Sequence, residues 1–235
     1  MSPRVARIVI AVVTVAAIAL FVSAGNWQRA RMNAKDAERV AFEAAAAKAP
    51  VPLPRPHADD WSAWRYRRVS AIGTWHAGMQ VLVDNRIIDG RAGFGVVSAL
   101  VLDDGRTLLV DRGWIPAGSG AMRVPTVAMP SGRAIVTGRL VVPPARYLEL
   151  DKAGAEGNVW QNLDPRRMSA TLGVAFLPVV LEQAPGGRDD GLVRRWVDPG
   201  AGATSHRIYM WQWYAFAILA AVLWIGFAIR RRRAA

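Results

Sequence analysis

The chain begins and ends with long runs of uncharged, mostly apolar residues. Residues 8–28 and residues 208–229, runs of 21 and 22 residues, contain no Asp, Glu, Lys or Arg. An α-helix needs about 20 such residues to cross the hydrocarbon core of a bilayer. The pattern therefore predicts one transmembrane helix in each run, with the lipid bilayer around both.

Between the two runs the pattern first indicates a helix and then a linker. Residues 33–48 are strong helix formers without Gly or Pro, so we expect the first helix to continue outward as a stem. Four prolines then end it, because proline lacks an amide donor and disfavours helix in the residue before it. These prolines are Pro50, Pro52, Pro54 and Pro56. Residues 29–60 are thus predicted to be a helical stem and a Pro-rich linker.

Residues 61–205 have a third pattern, with short β-branched and aromatic runs separated by Gly, Pro and Asp clusters. This pattern is typical of a β domain, and we expect seven or eight mainly antiparallel strands in a barrel or a sandwich. The candidate strands are residues 64–75, 80–85, 94–102, 107–115, 134–142, 159–163, 176–182 and 192–197, and residues 165–172 form one short helix. Asp103-Asp104-Gly105 predicts a tight hairpin turn, since Asp-Gly tolerates positive φ angles.

The distribution of charge predicts the orientation of the two spans. The chain has 30 Lys and Arg against 18 Asp and Glu, a net charge of +12, and six of these charges are Arg in residues 1–7 and 230–235. Short basic flanks stay in the cytoplasm, so both termini should be cytoplasmic and the central domain periplasmic, or in the equivalent intermembrane space of an organelle. Seven residues before the first span leave no room for a transit peptide, which favours a multi-pass protein of the bacterial inner membrane.

The chain ends have two other interpretations. Val22-Ser23-Ala24 has the small-residue form of a signal-peptidase site, so the first run could be a cleaved signal peptide. Against this, the run exceeds the roughly 7 to 15 residues of a signal core, and Trp27 lies where an interfacial anchor would. The basic tails could bind nucleic acid, but four Arg beside an apolar span are better explained by orientation and anionic lipid. We therefore expect no nucleic-acid partner.

The composition leaves few groups for catalysis. The chain has no cysteine, which excludes disulfides, thiolate metal sites and thiol redox chemistry. Its three histidines are His57, His76 and His206, and none lies in a hydrolase, zinc or phosphate-loop motif. The acid pairs Asp59-Asp60 and Asp189-Asp190 are typical of solvated turns. We expect no catalytic residue and no enzyme activity.

His206 is the best candidate for cofactor chemistry, because it lies two residues before the second span, at the expected outer membrane surface. Helical spacing places the following positions on its face: Tyr209 or Met210, Trp213, and Phe216 or Ala217. An imidazole above an aromatic wall could ligate haem iron while the porphyrin packs on the side chains. Alternatively, these are ordinary interfacial residues. Gln212 is expected to form a hydrogen bond between the two helices, with Gln28 at the outer end of the first span as its partner.

Several short motifs occur in a fixed order along the chain. They are Gly25-Asn26-Trp27-Gln28 with Arg31 and Lys35, Tyr66-Arg67-Arg68-Val69, Gly73-Thr74-Trp75, Asp84-Asn85-Arg86, Gly93-Phe94-Gly95-Val96-Val97, Val110-Asp111-Arg112-Gly113-Trp114-Ile115-Pro116, and His206 with Tyr209, Gln212 and Trp213. In this order, and with two flanking spans, the chain resembles the surfeit locus protein one family. Members of that family are membrane proteins that assist the assembly of cytochrome c oxidase.

The resemblance implies a non-enzymatic assembly factor for an aa-type oxidase. It would bind haem A and assist its insertion into oxidase subunit I, with haem A synthase as a further partner. In bacterial members a histidine at the start of the second span is associated with the haem. This maps onto His206 as the axial ligand of the iron, with Tyr209 and Trp213 in the binding site. The competing interpretation is a membrane-anchored scaffold that binds oxidase subunits or the synthase without holding haem.

Arg112, Gly113 and Trp114 are family landmarks to which the resemblance assigns no role. From physical considerations Gly113 is expected to permit a bulge or a tight strand exit. Trp114 is expected to lie in the core or on a docking surface.

Overall fold

The computed structural model describes residues 2–55, 60–120, 123–144, 155–186, 189–197 and 199–233. The predictions made for His57 and Asp59 lie outside the described residues. The chain forms two compact units: a helical unit up to Val40 and from Val197 onward, and a β unit of Ala41–Trp196.

Two long helices contain the two apolar runs. Helix α1 spans Pro3–Ala46 and the C-terminal helix, α3, spans Ala203–Arg233. Both are long and apolar enough to cross a membrane, which is consistent with membrane anchoring. The predicted helical stem is confirmed as far as Ala46. Apolar side chains are exposed along both helices, including Val12 at 62% and Leu223 at 64%, a surface that suits lipid better than water.

In its described residues the β unit has eight strands and one short α-helix. The strands are β1 Val51–Pro52, β2 Arg68–Ile88, β3 Arg91–Leu102, β4 Thr107–Pro116, β5 Arg133–Val141, β6 Ala155–Glu156, β7 Val159–Trp160 and β8 Phe176–Gln183. Helix α2 spans Pro165–Leu172, and a single 3₁₀ turn spans Ser62–Trp64. The sheet follows the order β3-β4-β8-β5-β2-β7-β6; in addition β1 pairs with β2, and β2 pairs with β3.

The sheet is mixed: most strand pairs are antiparallel, as expected, but three are parallel. Strand β4 pairs with β8 in parallel, and β2 pairs in parallel with both β1 and β7. Parallel partners need a long connection, and the chain between β4 and β8 supplies one because it passes through β5 and α2. The remaining pairs are antiparallel: β2–β3, β3–β4, β2–β5, β5–β8 and β6–β7. The choice between a barrel and a sandwich stays a prediction.

Three predicted strands differ clearly from the observed ones. Residues 64–75 and 80–85 were expected as separate strands, but β2 runs continuously for 21 residues. Its register against β3 shifts between Trp75 and Gln80, so an irregularity in the pairing replaces the expected loop. The predicted strand at 192–197 is wrong, since its backbone pairing with the sheet is a single bridge from Val193 to Trp114.

The local signals for the short helix and the hairpin turn are confirmed. Helix α2 has the predicted bounds; the Asp164 side chain accepts hydrogen bonds from the Arg166 and Arg167 amides, and Gly173 ends the helix at φ 68°. In the turn after β3, Gly105 adopts φ 83°, and the Leu102 amide donates to the Arg106 carbonyl at 2.8 Å.

The core lies between the inward faces of the strands. Strand β5 shows the alternation best, with Val136 and Leu140 buried and Ile135 70% exposed. The largest fully buried side chains are Phe94, Leu82, Leu100, Leu108, Leu109, Leu140, Met168 and Leu181. Burial of each such side chain contributes about 1.5–3 kcal/mol to the stability of the β unit. This core therefore fixes the strands that carry the buried polar groups of that unit.

Candidate functional site

The candidate site in the helical unit centres on a hydrogen bond between the two long helices. Nδ1 of His206 on α3 lies 2.7 Å from Oε1 of Gln28 on α1. An amide oxygen has no proton, so Nδ1 is the donor in this pair. With the Nδ1 proton in this bond, Nε2 is the ring nitrogen that can offer a lone pair, and this tautomer is one in which histidine binds metals.

His206 lines an open cleft of about 440 Å³ within the helical unit. The other lining residues come from one face of α1: Trp27, Arg31, Ala34, Lys35 and Glu38. The Arg31 guanidinium lies 5.6 Å from the centre of the Trp27 ring, and Lys35 Nζ lies 3.2 Å from Glu38 Oε2. The cleft thus combines an imidazole, an aromatic ring and two cationic side chains, and its volume is in the range of small-molecule sites.

Aromatic and small residues hold the two helices together next to His206. The rings of Phe21 and Trp213 stack with their centres 5.8 Å apart, and the Tyr214 hydroxyl donates to Asn26 Oδ1 at 2.8 Å. Gly25 makes the close approach possible, because a Cβ atom there would collide with the Tyr214 ring. Small residues and polar pairs of this kind are typical of helix contacts in membranes.

The structure places two of the three predicted site residues against α1, and only His206 of the three lines the cleft. His206 and Trp213 are half-buried beside α1, whereas Tyr209 is 52% exposed. Met210 and Ala217, the alternatives on the predicted face, are the buried ones. Haem ligation by His206 and haem contact with Tyr209 and Trp213 stay predictions.

The predicted partner of Gln28 was wrong. Gln28 binds His206, while Gln212 is exposed. Gln212 lies six residues further along α3, about 9 Å deeper than His206, so the depth of the contact was misjudged. The cleft lining of Arg31, Lys35 and Glu38 was also missed, although their spacing of three or four residues after Gln28 indicates a single helix face.

In the β unit, Arg112 is a structural cross-link. Its side chain is 6% exposed, and it donates to Gln80 Oε1 at 2.9 Å, to the Ala128 carbonyl at 3.2 Å and to Asp190 Oδ2 at 3.1 Å. Burial alone raises the pKa of Asp190, but the bonds from Arg194 and Arg112 outweigh it and lower that pKa. Asp190 therefore lies in a turn as predicted but is ion-paired rather than freely solvated.

Gly113 and Trp114 serve the packing of β4. Val96 pairs with Gly113 and Val97 with Asp111, which leaves Arg112 as the extra residue of the predicted bulge. Gly113 has φ 144°, and a Cβ there would lie 3.0 Å from the Val193 carbonyl oxygen. Trp114 is buried, and its Nε1 donates to the Arg86 carbonyl at 3.0 Å, so of the two expected roles the structure assigns the core.

Comparison with known proteins gives the evolutionary relationship. The model of the SURF1 family matches residues 15–218, most of the chain. The chain belongs to the SURF1 family. Members of this family are generally oxidase assembly factors rather than catalysts.

SURF1-like proteins of Mycobacterium tuberculosis and Mycobacterium bovis, named as uncharacterized, are 30% identical to the chain over 168 residues. The aligned region covers 67% of this chain, which spans 58% of the length of these relatives. The SURF1 match covers the 28–35 segment and His206 together with the whole β unit, so it includes both parts of the molecule described above.

Proposed function

We propose that this protein is an assembly factor for an aa-type cytochrome c oxidase, and that it binds haem A beside His206 and assists its insertion into subunit I. The observation that carries the proposal is the 2.7 Å contact between Gln28 and His206. It holds the imidazole in the tautomer whose Nε2 can bind iron, at the edge of a cleft with room for part of a porphyrin.

The residues around the cleft suit the chemistry of haem A as a cargo. Nε2 of His206 would be the axial ligand, and Trp27 would offer an aromatic face within the cleft. Trp213, which stacks on Phe21 and does not line the cleft, would lie beside the site. Arg31 and Lys35 would pair with the propionate carboxylates. The farnesyl tail of haem A would lie along the exposed apolar surface of the helices, with Tyr209 at the interface. A bound haem supplies no reaction here, because the protein only carries it.

The proposed location follows from the charges and the helices. The Arg residues at both ends favour cytoplasmic termini, and the two apolar helices are consistent with anchoring in the bacterial inner membrane. The β unit would then lie in the periplasm, and His206 at the outer surface of the bilayer. Subunit I and haem A synthase, both membrane proteins that handle haem A, are the proposed partners.

Deletion of the gene tests the function. We expect reduced-minus-oxidised spectra of the membranes to lose most of the aa-type oxidase signal. The wild-type gene and a His76→Ala variant should restore the signal, whereas His206→Ala should not. His76 is the matched control because it lies in β2, where its Nδ1 contacts the Ala77 carbonyl. A normal aa-type signal in the deletion strain would contradict the proposal.

A scaffold that never holds haem is the second candidate, and one observation favours it. Ile72 and Ile135 are cross-strand partners in the β2–β5 pair, and both are exposed, at 43% and 70%. Exposed apolar pairs of this kind suit a docking surface for an oxidase subunit or the synthase. The scaffold predicts that Ile135→Glu abolishes oxidase maturation while His206→Ala leaves it normal. If the protein carries haem on His206, the His206→Ala variant should lose oxidase maturation.

A further inference from the structure

A polar pocket of about 390 Å³ lies within the β unit. Its walls bring together two of the motifs found in the sequence. Asp84-Asn85-Arg86 comes from a bulged part of β2, where Asn85 adopts φ 60°, and Asp111 comes from β4. Glu182 of β8 also lines the pocket. Neither motif has a part in the proposed binding of haem.

Asp111 is the unusual group in this pocket. It is 4% exposed, and its Oδ1 atom is buried without a hydrogen-bond partner among the described residues. The Gly113 amide is the backbone donor that faces the carboxyl. Burial raises the pKa of Asp111 to about 7, and the nearby charge of Glu182 acts in the same direction, whereas Arg86 and the Gly113 amide oppose it. A buried carboxyl oxygen without a donor is costly and needs an explanation.

The other two carboxylates of the pocket already have cationic partners. Glu182 forms an ion pair with Arg139, and Asp84 Oδ2 lies 3.2 Å from Arg123 Nη2. Arg86 is exposed and attracts Asp111 through its charge without a direct hydrogen bond in the described structure. Among the described residues, the carboxylate oxygen of this pocket that is buried without a hydrogen-bond donor is therefore Oδ1 of Asp111.

The walls decide which class of donor fits. Among the described residues no group of three or more His, Asp or Glu side chains is arranged to hold a metal ion. The remaining pocket wall includes the apolar side chains of Val83, Leu163 and Val180. A polar end and an apolar wall suit an organic cation with an alkyl stem better than a bare ion.

We propose that this pocket binds a guanidinium or ammonium group on an aliphatic stem, with Asp111 as its buried counter-ion. The cation supplies the missing donor to Oδ1, and the stem packs against the apolar wall. Such a group can come from an Arg or Lys side chain of a partner protein or from a free amine. Below about pH 7 the cation displaces the proton of Asp111 to solvent, so binding tightens as the pH rises.

Calorimetric titration of the full chain in neutral detergent tests this site. The probe is n-butylguanidinium, and n-butylurea is its neutral isostere. We expect n-butylguanidinium to bind the wild type, with proton release at pH 6 that largely disappears at pH 8. Asp111→Asn should weaken binding about tenfold to a hundredfold, the effect of losing one charged hydrogen bond. Asp104→Asn, which removes a carboxylate of the β3–β4 turn outside the pocket, should bind like the wild type.

Two results would overturn the proposal: equal binding of n-butylurea and n-butylguanidinium, or unchanged binding in Asp111→Asn. If Asp111→Asn fails to fold, Asn162→Trp serves instead, because Asn162 is half-buried and lines the pocket. Unchanged binding in Asn162→Trp would overturn the site as well. A capped pentapeptide with one Arg distinguishes a partner side chain from a free amine as the source of the cation. Tighter binding of the peptide than of n-butylguanidinium supports a partner side chain, and weaker binding of the peptide supports a free amine.

Discussion

The two units of the molecule hold polar groups in apolar surroundings in different ways. In the helical unit Gln28 forms a hydrogen bond with His206, and Tyr214 forms one with Asn26. The contact with Gln28 uses Nδ1 of the His206 ring and does not use Nε2. In the part of the β unit that the structure describes, Arg112 donates to three acceptors, while Asp111 has one carboxylate oxygen without a donor. The comparison teaches that partnered polar groups fix the structure, and that the groups left over are the candidates for binding.

The largest expected effect distinguishes a structural polar group from a binding one. Arg112→Ala leaves Gln80, the Ala128 carbonyl and Asp190 without their shared donor, and should lower the free energy of unfolding of the β unit by about 3–5 kcal/mol. Thermal unfolding followed by circular dichroism of the full chain in detergent measures this. Arg133→Ala is the control, since the exposed Arg133–Asp103 pair should contribute only about 0–1 kcal/mol. Equal losses of unfolding free energy in Arg112→Ala and Arg133→Ala would contradict a structural role for Arg112.

The bulge that carries Arg112 should be the next most sensitive feature. Gly113→Ala places a Cβ 3.0 Å from the Val193 carbonyl oxygen at a positive φ, so we expect a loss of about 1–3 kcal/mol of unfolding free energy. Gly105→Ala has a positive φ but open space around it, and should lose less. The same melting experiment compares the two. A larger loss for Gly105→Ala would show that the close contact at Gly113 is unimportant.

Asp111 should give the β unit an unusual dependence on pH. Its pKa is about 7 in the folded state against 3.8 unfolded, so the folded state binds more protons between these values. The contribution of Asp111 to the free energy of unfolding is therefore fully present below about pH 4. It is lost as the pH rises to 7, by at most about 1.4 kcal/mol per pH unit. Unfolding of the full chain across this window measures the slope.

Asp111→Asn is the control for this slope and should flatten it. A remainder is expected from Glu182, whose pKa burial also raises. Asp104 acts in the opposite direction, because Arg106 lowers its pKa to about 2, and its contribution is lost only below about pH 4. Stability that rises between pH 4 and 7, with the same slope in Asp111→Asn, would contradict the burial of this group.

The smallest effect is expected for a polar contact between the two helices whose residues do not line the cleft. Tyr214→Phe removes the hydrogen bond to Asn26 and should destabilise the helical unit by about 0.6 kcal/mol, the typical value for such bonds in membranes. Unfolding of the full chain in mixed detergent micelles with increasing dodecyl sulfate measures the change. A loss above 2 kcal/mol would mean that this bond, and not the packing of Phe21 on Trp213, holds the helices together.

Features set by local chemistry could be predicted from the sequence. The two charge-free runs, the α2 helix with Asp164 and Gly173 at its ends, and the turn at Gly105 each depend on residues close together in the chain. Their signals are capping, periodicity and a positive φ. The bulge at Gly113 was also predictable, since only a glycine readily tolerates such a backbone.

Features set by distant partners could not be predicted in the same way. The parallel pairing of β4 with β8 depends on a connection through β5 and α2. The choice of His206 rather than Gln212 as the partner of Gln28 depends on the relative depth of two helices. The pocket at Asp111 required the register of three strands, so the motifs marked its residues but not their contacts.

Haem content is the most direct measurement of the central proposal, which is that the protein carries haem A on His206. The full chain would be purified from cells that make haem A, together with His206→Ala and, as the matched control, His76→Ala. We expect the wild type and His76→Ala to retain haem A with the same Soret band, and His206→Ala to lose most of the haem and shift the band. Equal haem content and an unchanged Soret band in His206→Ala would contradict the account.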